Sequence, residues 1–154
     1  MSLILRRNGE GTIKTFLDTK LLDEISAEAQ TSECLCMNRN LHDSLDAKAQ
    51  RLLNALDPGT ILPIHCHSHT ADTHILLRGR IDVMFYDDSG VESARFALDP
   101  PSGRYCVHIP AGQWHTLEVL KSGSVIFEVK HGPYTPFEPE DILYWPGLSV
   151  KGIA

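Results

Sequence analysis

The chain has 154 residues, enough for one domain with a single proper core. A formal net charge of −6 disfavours nucleic acid and anionic membrane as partners, and no apolar run approaches the length of a membrane span. The opening MSLILRRNGEG places its arginines after a very short apolar patch, unlike a secretory signal, so a cytoplasmic protein is expected.

Residues 1–15 read as an arm with weak strand character. Asp18 or Thr19 can cap a helix that runs to about Gln30, with Leu21, Leu22, Ile25 and Ala29 as its apolar stripe, and this helix is expected on the outside of a barrel. Thr31 to Ala47 is polar and mixed, holding Asn38, Arg39, Asn40 and His42. It reads as a surface loop with locally bonded Asn and Asp side chains, the alternative being a flap that reaches the barrel mouth. Four cysteines (Cys34, Cys36, Cys66, Cys106) show no framework spacing and read as reduced structural thiols, with Cys66 a packing residue of the wall.

From Gln50 onward short strands alternate with turns. Strands are predicted at about 49–56, 60–67, 73–78, 81–86, 91–97, 105–109, 114–119 and 124–130. Pro, Gly and Asp clusters punctuate them, at Asp57-Pro58-Gly59, Arg78-Gly79-Arg80, Asp87 to Gly90, Pro100 to Gly103, Pro110 to Gly112 and Lys121 to Gly123. Eight such strands suit an all-β jelly roll. The tail from Gly132 is rich in proline and aromatics, cannot continue a central strand, and is expected to wrap the barrel with a short helix near Pro139 to Tyr144. The organisation is thus one domain over 1–154: arm, helix and loop (1–48), barrel (49–131) and wrapping tail (132–154).

Chemistry concentrates between Gly59 and Gly79. His65 and His67 lie one residue apart, so on a strand they project to the same side, about 7 Å apart along it. Asp72 follows, and Pro110-Ala111-Gly112-Gln113-Trp114-His115 is a turn that delivers a third histidine to another strand. Together the stretches read G-x5-H-x-H-x4-D-x6-G and P-x-G-x2-H. This resembles the paired motifs of the cupin superfamily, which implies a double-stranded β-helix with a metal inside it. The family's first motif carries Glu where this chain has Asp72, and its second usually ends in Asn where this chain has Val119. The run QRLLNALDPGTILPIHCHSHTAD, with LRGRIDVMFYDDSG, IPAGQWHT and EVKHGPYTP, is similar to the WbuC-type cupin-fold metalloproteins, small bacterial proteins of which some are encoded among surface-polysaccharide genes. That likeness implies a cupin barrel with a divalent metal and leaves the reaction open.

Neutral imidazole suits Zn, Fe, Ni or Mn, and three of them plus a carboxylate leave room for water or substrate. Any one histidine alone would be read as a hydrogen-bonded structural group; three at motif positions reverse that reading for His65, His67 and His115. Asp72 is one methylene shorter than the family's glutamate. It either ligates, binds through water, or orients an imidazole. His74, two positions on, faces the same way and is the substitute ligand or a general base. His69 is expected in an exposed turn, and His108 and His131 have no motif support.

Tyr86, Trp114, Glu128 and Lys130 are candidate ligand-binding residues, with Arg51 and Asn54 as further lining groups. Alternation leaves open whether Glu128 and Lys130 or Phe127 and Val129 face inward. Two functions follow: a small-molecule metalloenzyme acting on a sugar or sugar-nucleotide derivative by isomerase, epimerase or oxygenase chemistry, or a non-catalytic small-ligand sensor. A barrel that has lost its metal, with Asp72 as the symptom, is the third option. A homodimer is expected, since two-fold closure covers exposed sheet edges.

Overall fold

The computed structural model describes residues 16–143, together with the backbone of residues 7–8 and 12–13. In chain order its elements are β1 (Arg7–Asn8), β2 (Thr12–Ile13), α1 (Thr19–Thr31), β3 (Cys36–Asn40), β4 (Ala49–Leu56), β5 (Ile64–His65), β6 (Asp72–Arg78), β7 (Ile81–Tyr86), β8 (Glu92–Leu98), β9 (Cys106–Ile109), β10 (Trp114–Val119), β11 (Ser124–His131) and β12 (Ile142–Leu143). Two five-stranded antiparallel sheets, ordered β3-β4-β11-β6-β9 and β12-β5-β10-β7-β8, enclose a common interior in a jelly roll. β1 and β2 pair only with each other, and the rest of the expected arm lies outside the described residues. No described helix is long and apolar enough to cross a membrane.

The helix starts where Asp18 accepts a hydrogen bond from the Leu21 amide at 2.9 Å. Its buried stripe, Leu21, Ile25 and Ala29, packs on Leu53, Ala55 and Val125, the outward positions of β4 and β11. Full burial of side chains like Leu21 and Ile25 contributes about 1.5–3 kcal/mol each. This sheet is therefore apolar on both faces where the helix covers it, with Leu56 and Ile126 pointing inward to a second cluster. Inside the barrel, polarity changes along the strands. Leu76 gives way to His74 and Asp72 on β6, Ile126 to Glu128 and Lys130 on β11, and Leu117 to His115 on β10. One end of the interior is an aliphatic plug; the other is a polar chamber.

Four expectations are corrected. The strand foreseen at 60–67 is only Ile64–His65. The Thr60 amide bonds back to Asp57, its hydroxyl reaches the carbonyls of Leu35 and Asp57, and Pro63 has no N–H to donate, so residues 60–63 belong to the turn. The loop foreseen at 31–47 contains β3, which pairs in register with β4 from Cys36↔Leu56 to Asn40↔Leu52. The short helix near Pro139 is a single 3₁₀ turn, Pro139–Asp141, followed by β12, which pairs with β5; Tyr144 lies outside the described residues. Cys34 and Cys36 are joined in a disulfide, whereas reduced thiols are expected from the sequence; Cys66 and Cys106 are free, Cys66 buried in the wall and Cys106 exposed.

Candidate metal centre

Two glycines shape turns next to the histidine-bearing strands. Gly79 has φ +96°, and a β-carbon there would sit 2.6 Å from the Ser124 Cα, so only glycine lets β6 and β11 approach so closely. Gly112, at φ +77°, turns the chain so that its amide donates to the His67 carbonyl at 2.8 Å. β5 and β10 then pair with His65 directly opposite His115. Cross-strand partners carry neighbouring side chains, and the two rings lie 4.3 Å apart between centroids. His67 stands 5.3 Å from His65 and 6.0 Å from His115. One ligand atom from each of the three lies within 4.8 Å of the others, a spacing that could hold an ion.

The tautomers follow from the backbone. His65 Nδ1 lies 2.9 Å from the Pro63 carbonyl, and His115 Nδ1 lies 2.9 Å from that of Gln113. Each Nδ1–H therefore donates to a carbonyl, and each Nε2 keeps its lone pair for the chamber. That is the arrangement in which a ligating imidazole is oriented through its other nitrogen. His115 Nε2 is buried without a hydrogen-bond partner. Burial pushes His65 down to about 4 and His115 well below the ordinary histidine range, and it lowers His67 as well, helped by the Lys130 charge. All three are neutral at pH 7, as metal ligation requires. A divalent transition metal fits this donor set.

A second group adjoins the first. β6 and β11 pair with His74 opposite Glu128 and Asp72 opposite Lys130. His74 Nε2 lies 3.2 Å from Asp72 Oδ2 and 3.8 Å from Glu128 Oε1. Burial alone would lower His74, but the charges of Asp72 and Glu128 outweigh it and hold it up to about 10. Burial and the neighbouring Glu128 raise Asp72 to about 6, against the pull of His74. Burial also works to raise Glu128, yet His74 and then Lys130 (Nζ 3.4 Å away) keep it well below the usual carboxylate range. Asn54 donates to its other oxygen. Asp72 Oδ2 is also 3.7 Å from His67 Nε2, so Asp72 stands between the two groups.

The five expected ligands thus converge in one place but divide into two sets: His65, His67 and His115 in one, Asp72 and His74 with Glu128 in the other. They face a cavity of about 210 Å³, which Glu128, Lys130 and Asn54 also line. Tyr86 and Trp114 do not line it. They are register partners on β7 and β10, and alternation turns them away from the face that carries Val83, His115 and Leu117; the Trp114 indole donates to Asp88 at 3.0 Å instead. Arg51 likewise faces outward, and His69 is exposed. His108 is exposed on β9 with a ring nitrogen 3.0 Å from the Thr73 hydroxyl, whereas His131 reaches the cavity rim. Sequence reasoning missed Phe137, whose ring lies 4.8 Å from His65 and 5.5 Å from His67, stacked on the latter at 28°. An aromatic in an irregular tail carries no periodic signal, and only its Pro-rich setting hinted at wrapping.

Residues 17–98 match the family described as Domain of unknown function (DUF6016). The matched segment contains His65, His67, Asp72 and His74; His115 and Glu128 lie beyond it. No curated protein matches the chain. Among solved structures it is similar to a conserved protein of unknown function from Streptococcus pyogenes (13% identity, 83% of this chain and 95% of that one, TM-score 0.53). It is also similar to KdgF from Halomonas sp. (14%, 65% and 80%, TM-score 0.51). A third is the capsular polysaccharide assembling protein CapF from Staphylococcus aureus (18%, 68% of this chain but only 27% of that one, TM-score 0.51). The fold these structures share with the chain is the antiparallel β jelly roll.

Proposed function

We infer the function from the site itself, because the chain belongs to the DUF6016 family, and a domain of unknown function prescribes no reaction. The reading is a metal-binding cupin whose ligands are His65, His67 and His115, acting on a small molecule that enters the chamber. One observation carries it: the Nδ1 atoms of His65 and His115 are committed to backbone carbonyls, so two neutral Nε2 atoms converge with His67. A bound divalent cation would polarise a carbonyl or activate water at this point. The chain's own part is to supply neutral donors, to keep a proton on His74 beside them, and to exclude solvent with the Phe137 ring. Asp72 is read as the group that orients His67 and His74.

For substrate, a sugar or sugar-nucleotide derivative is favoured by two supports. The motifs resemble WbuC-type cupins, and CapF is named as a capsular polysaccharide assembling protein. Isomerase and epimerase chemistry fit a site with a proton-bearing imidazole between two carboxylates better than oxygenase chemistry does, since the former move protons. The reading also takes residues 1–154 as one cytoplasmic cupin domain that pairs as a homodimer, with the exposed Val91 and Phe96 of the β8 edge available for contact. Elemental analysis of protein purified without added metal tests the core of the reading. About one equivalent of transition metal is expected, and His65→Ala/His67→Ala should abolish it. Full metal content in that double variant would place the site elsewhere.

A further inference from the structure

A feature apart from the histidines also opens on the cavity. Cys34 and Cys36, separated by Leu35 alone, form a disulfide, are half-buried and line the cavity wall where β3 begins. The bond closes a loop with a single intervening residue, for which the loss of unfolded-chain entropy is small. Nor does the turn depend on it. The Leu35 amide donates to the Ser32 carbonyl at 3.1 Å, and the Leu35 carbonyl accepts from the Asp57 amide at 3.0 Å and the Thr60 hydroxyl at 2.8 Å. These bonds hold Leu35 at φ +54°, the one positive φ among described residues other than glycine. The backbone that brings the two sulfurs together is thus held by hydrogen bonds in which neither sulfur takes part. A crosslink that adds little to the fold, preformed by its backbone and facing a cavity, is suited to chemistry.

We propose that Cys34 and Cys36 form a thiol–disulfide exchange site, a two-electron couple that reacts with small thiols entering the cavity mouth. In the reductive direction a thiolate of the reductant attacks one sulfur. The Cys34–Cys36 bond breaks, and the other sulfur leaves as a thiolate that takes up a proton. A second reductant thiol then attacks the mixed disulfide, releasing the second cysteine thiol and the oxidised reductant. Two electrons pass from two small thiols to the pair, and one disulfide replaces another. The Ser32 hydroxyl lies 3.6 Å from Cys34 Sγ, with the Ala29 and Cys36 carbonyls as nearer acceptors for its proton at 2.9 Å. Cys66 is buried and Cys106 lies on β9, so they serve as internal controls. The proposal does not rest on metal at the histidines.

The test counts thiols by alkylation and peptide mass mapping on the full chain, labelled after rapid denaturation. Protein equilibrated with oxidised glutathione should show Cys34 joined to Cys36 with no glutathione on either, while buried Cys66 stays free and exposed Cys106 collects a glutathione adduct. After millimolar dithiothreitol under native conditions it should show four free thiols, and a return to oxidised glutathione should restore the Cys34–Cys36 bond. Cys34→Ser should leave Cys36 to collect a glutathione adduct. Cys34→Ser/Cys36→Ser should lower the melting temperature by no more than roughly 5 °C. The proposal is overturned if Cys34 and Cys36 stay free in oxidised glutathione. It is equally overturned if the bond opens only once the protein is unfolded, or if the double variant melts far lower.

Discussion

His65 and His74 share one chamber, and both are almost sealed from water, at 7% and 6% relative exposure. Their ionisation nevertheless diverges, to about 4 for one and about 10 for the other. His65 meets a carbonyl and two further imidazoles, so nothing stabilises a proton on it strongly enough to offset burial. His74 meets Asp72 and Glu128, and the proton it keeps neutralises part of their charge. Burial sets the stakes and the partners decide the outcome. The neutral set is fit to take up a cation; the charged set already carries its own positive charge.

Substitutions should separate the two sets. Glu128→Ala leaves His74 and Lys130 without their common carboxylate and Asn54 without its acceptor. Removing one partner of a buried ion pair costs about 3–5 kcal/mol, read as a lower urea midpoint at unchanged slope. His115→Ala should do the reverse. Metal-free stability should fall by about 1 kcal/mol, while cation affinity measured by calorimetry falls by more than roughly a hundredfold. If the two variants behave alike, the division into sets is wrong.

The pH dependence of metal-free stability offers a second way to break the comparison. His65 titrates near 6.5 when unfolded and about 4 when folded, so between these values the unfolded chain binds more protons. Its contribution, roughly 3 kcal/mol, is complete above pH 6.5 and lost as pH falls toward 4. His67 and His115 act in the same direction. Asp72, raised from 3.8 to about 6, opposes them over that window, since its folded form binds the extra proton. His74 has the other sign: its contribution is complete below pH 6.5 and lost as pH rises through about 10. Urea midpoints against pH should therefore fall on both sides of neutrality. His65→Gln should flatten the acid limb and spare the alkaline one, whereas His74→Gln should remove the alkaline limb and, by letting Asp72 and Glu128 rise, alter the acid limb as well.

The sequence shows the boundaries of β4, β7 and β10 to the residue, because each is followed by a strong turn signal: Asp57-Pro58-Gly59, Asp87 to Gly90 and Lys121 to Gly123. β3 is illegible, because Cys-Met-Asn-Arg-Asn has no apolar alternation and becomes a strand only by pairing with β4. The spacing of His65, His67 and His115 is readable as a shared site because motif turns fix it, and the parity of Asp72 and His74 places them on one face. The parity of β11 is not readable. α1 covers one face and the core the other, so Phe127, Val129 and Ile126 are all apolar, and nothing in Ser124–His131 says that Glu128 turns inward.

The gentlest perturbation concerns an aromatic ring that meets the neutral set. Phe137 contacts His65 and His67 from the tail segment between Gly132, anchored to the Lys48 carbonyl, and β12. Phe137→Ala should lower metal-free stability by about 0.5–1.5 kcal/mol, the usual worth of such a ring pair. Cation stoichiometry should survive, because the backbone bonds that aim His65 and His115 do not involve the tail. The acid limb should weaken, because His67 gains water and can hold a proton more easily in the folded state. Trp114→Phe, outside the chamber, should leave that limb unmoved. Loss of the cation together with the ring would show instead that the tail sets the geometry of the histidines, and the neutral set would no longer be the work of β5 and β10 alone.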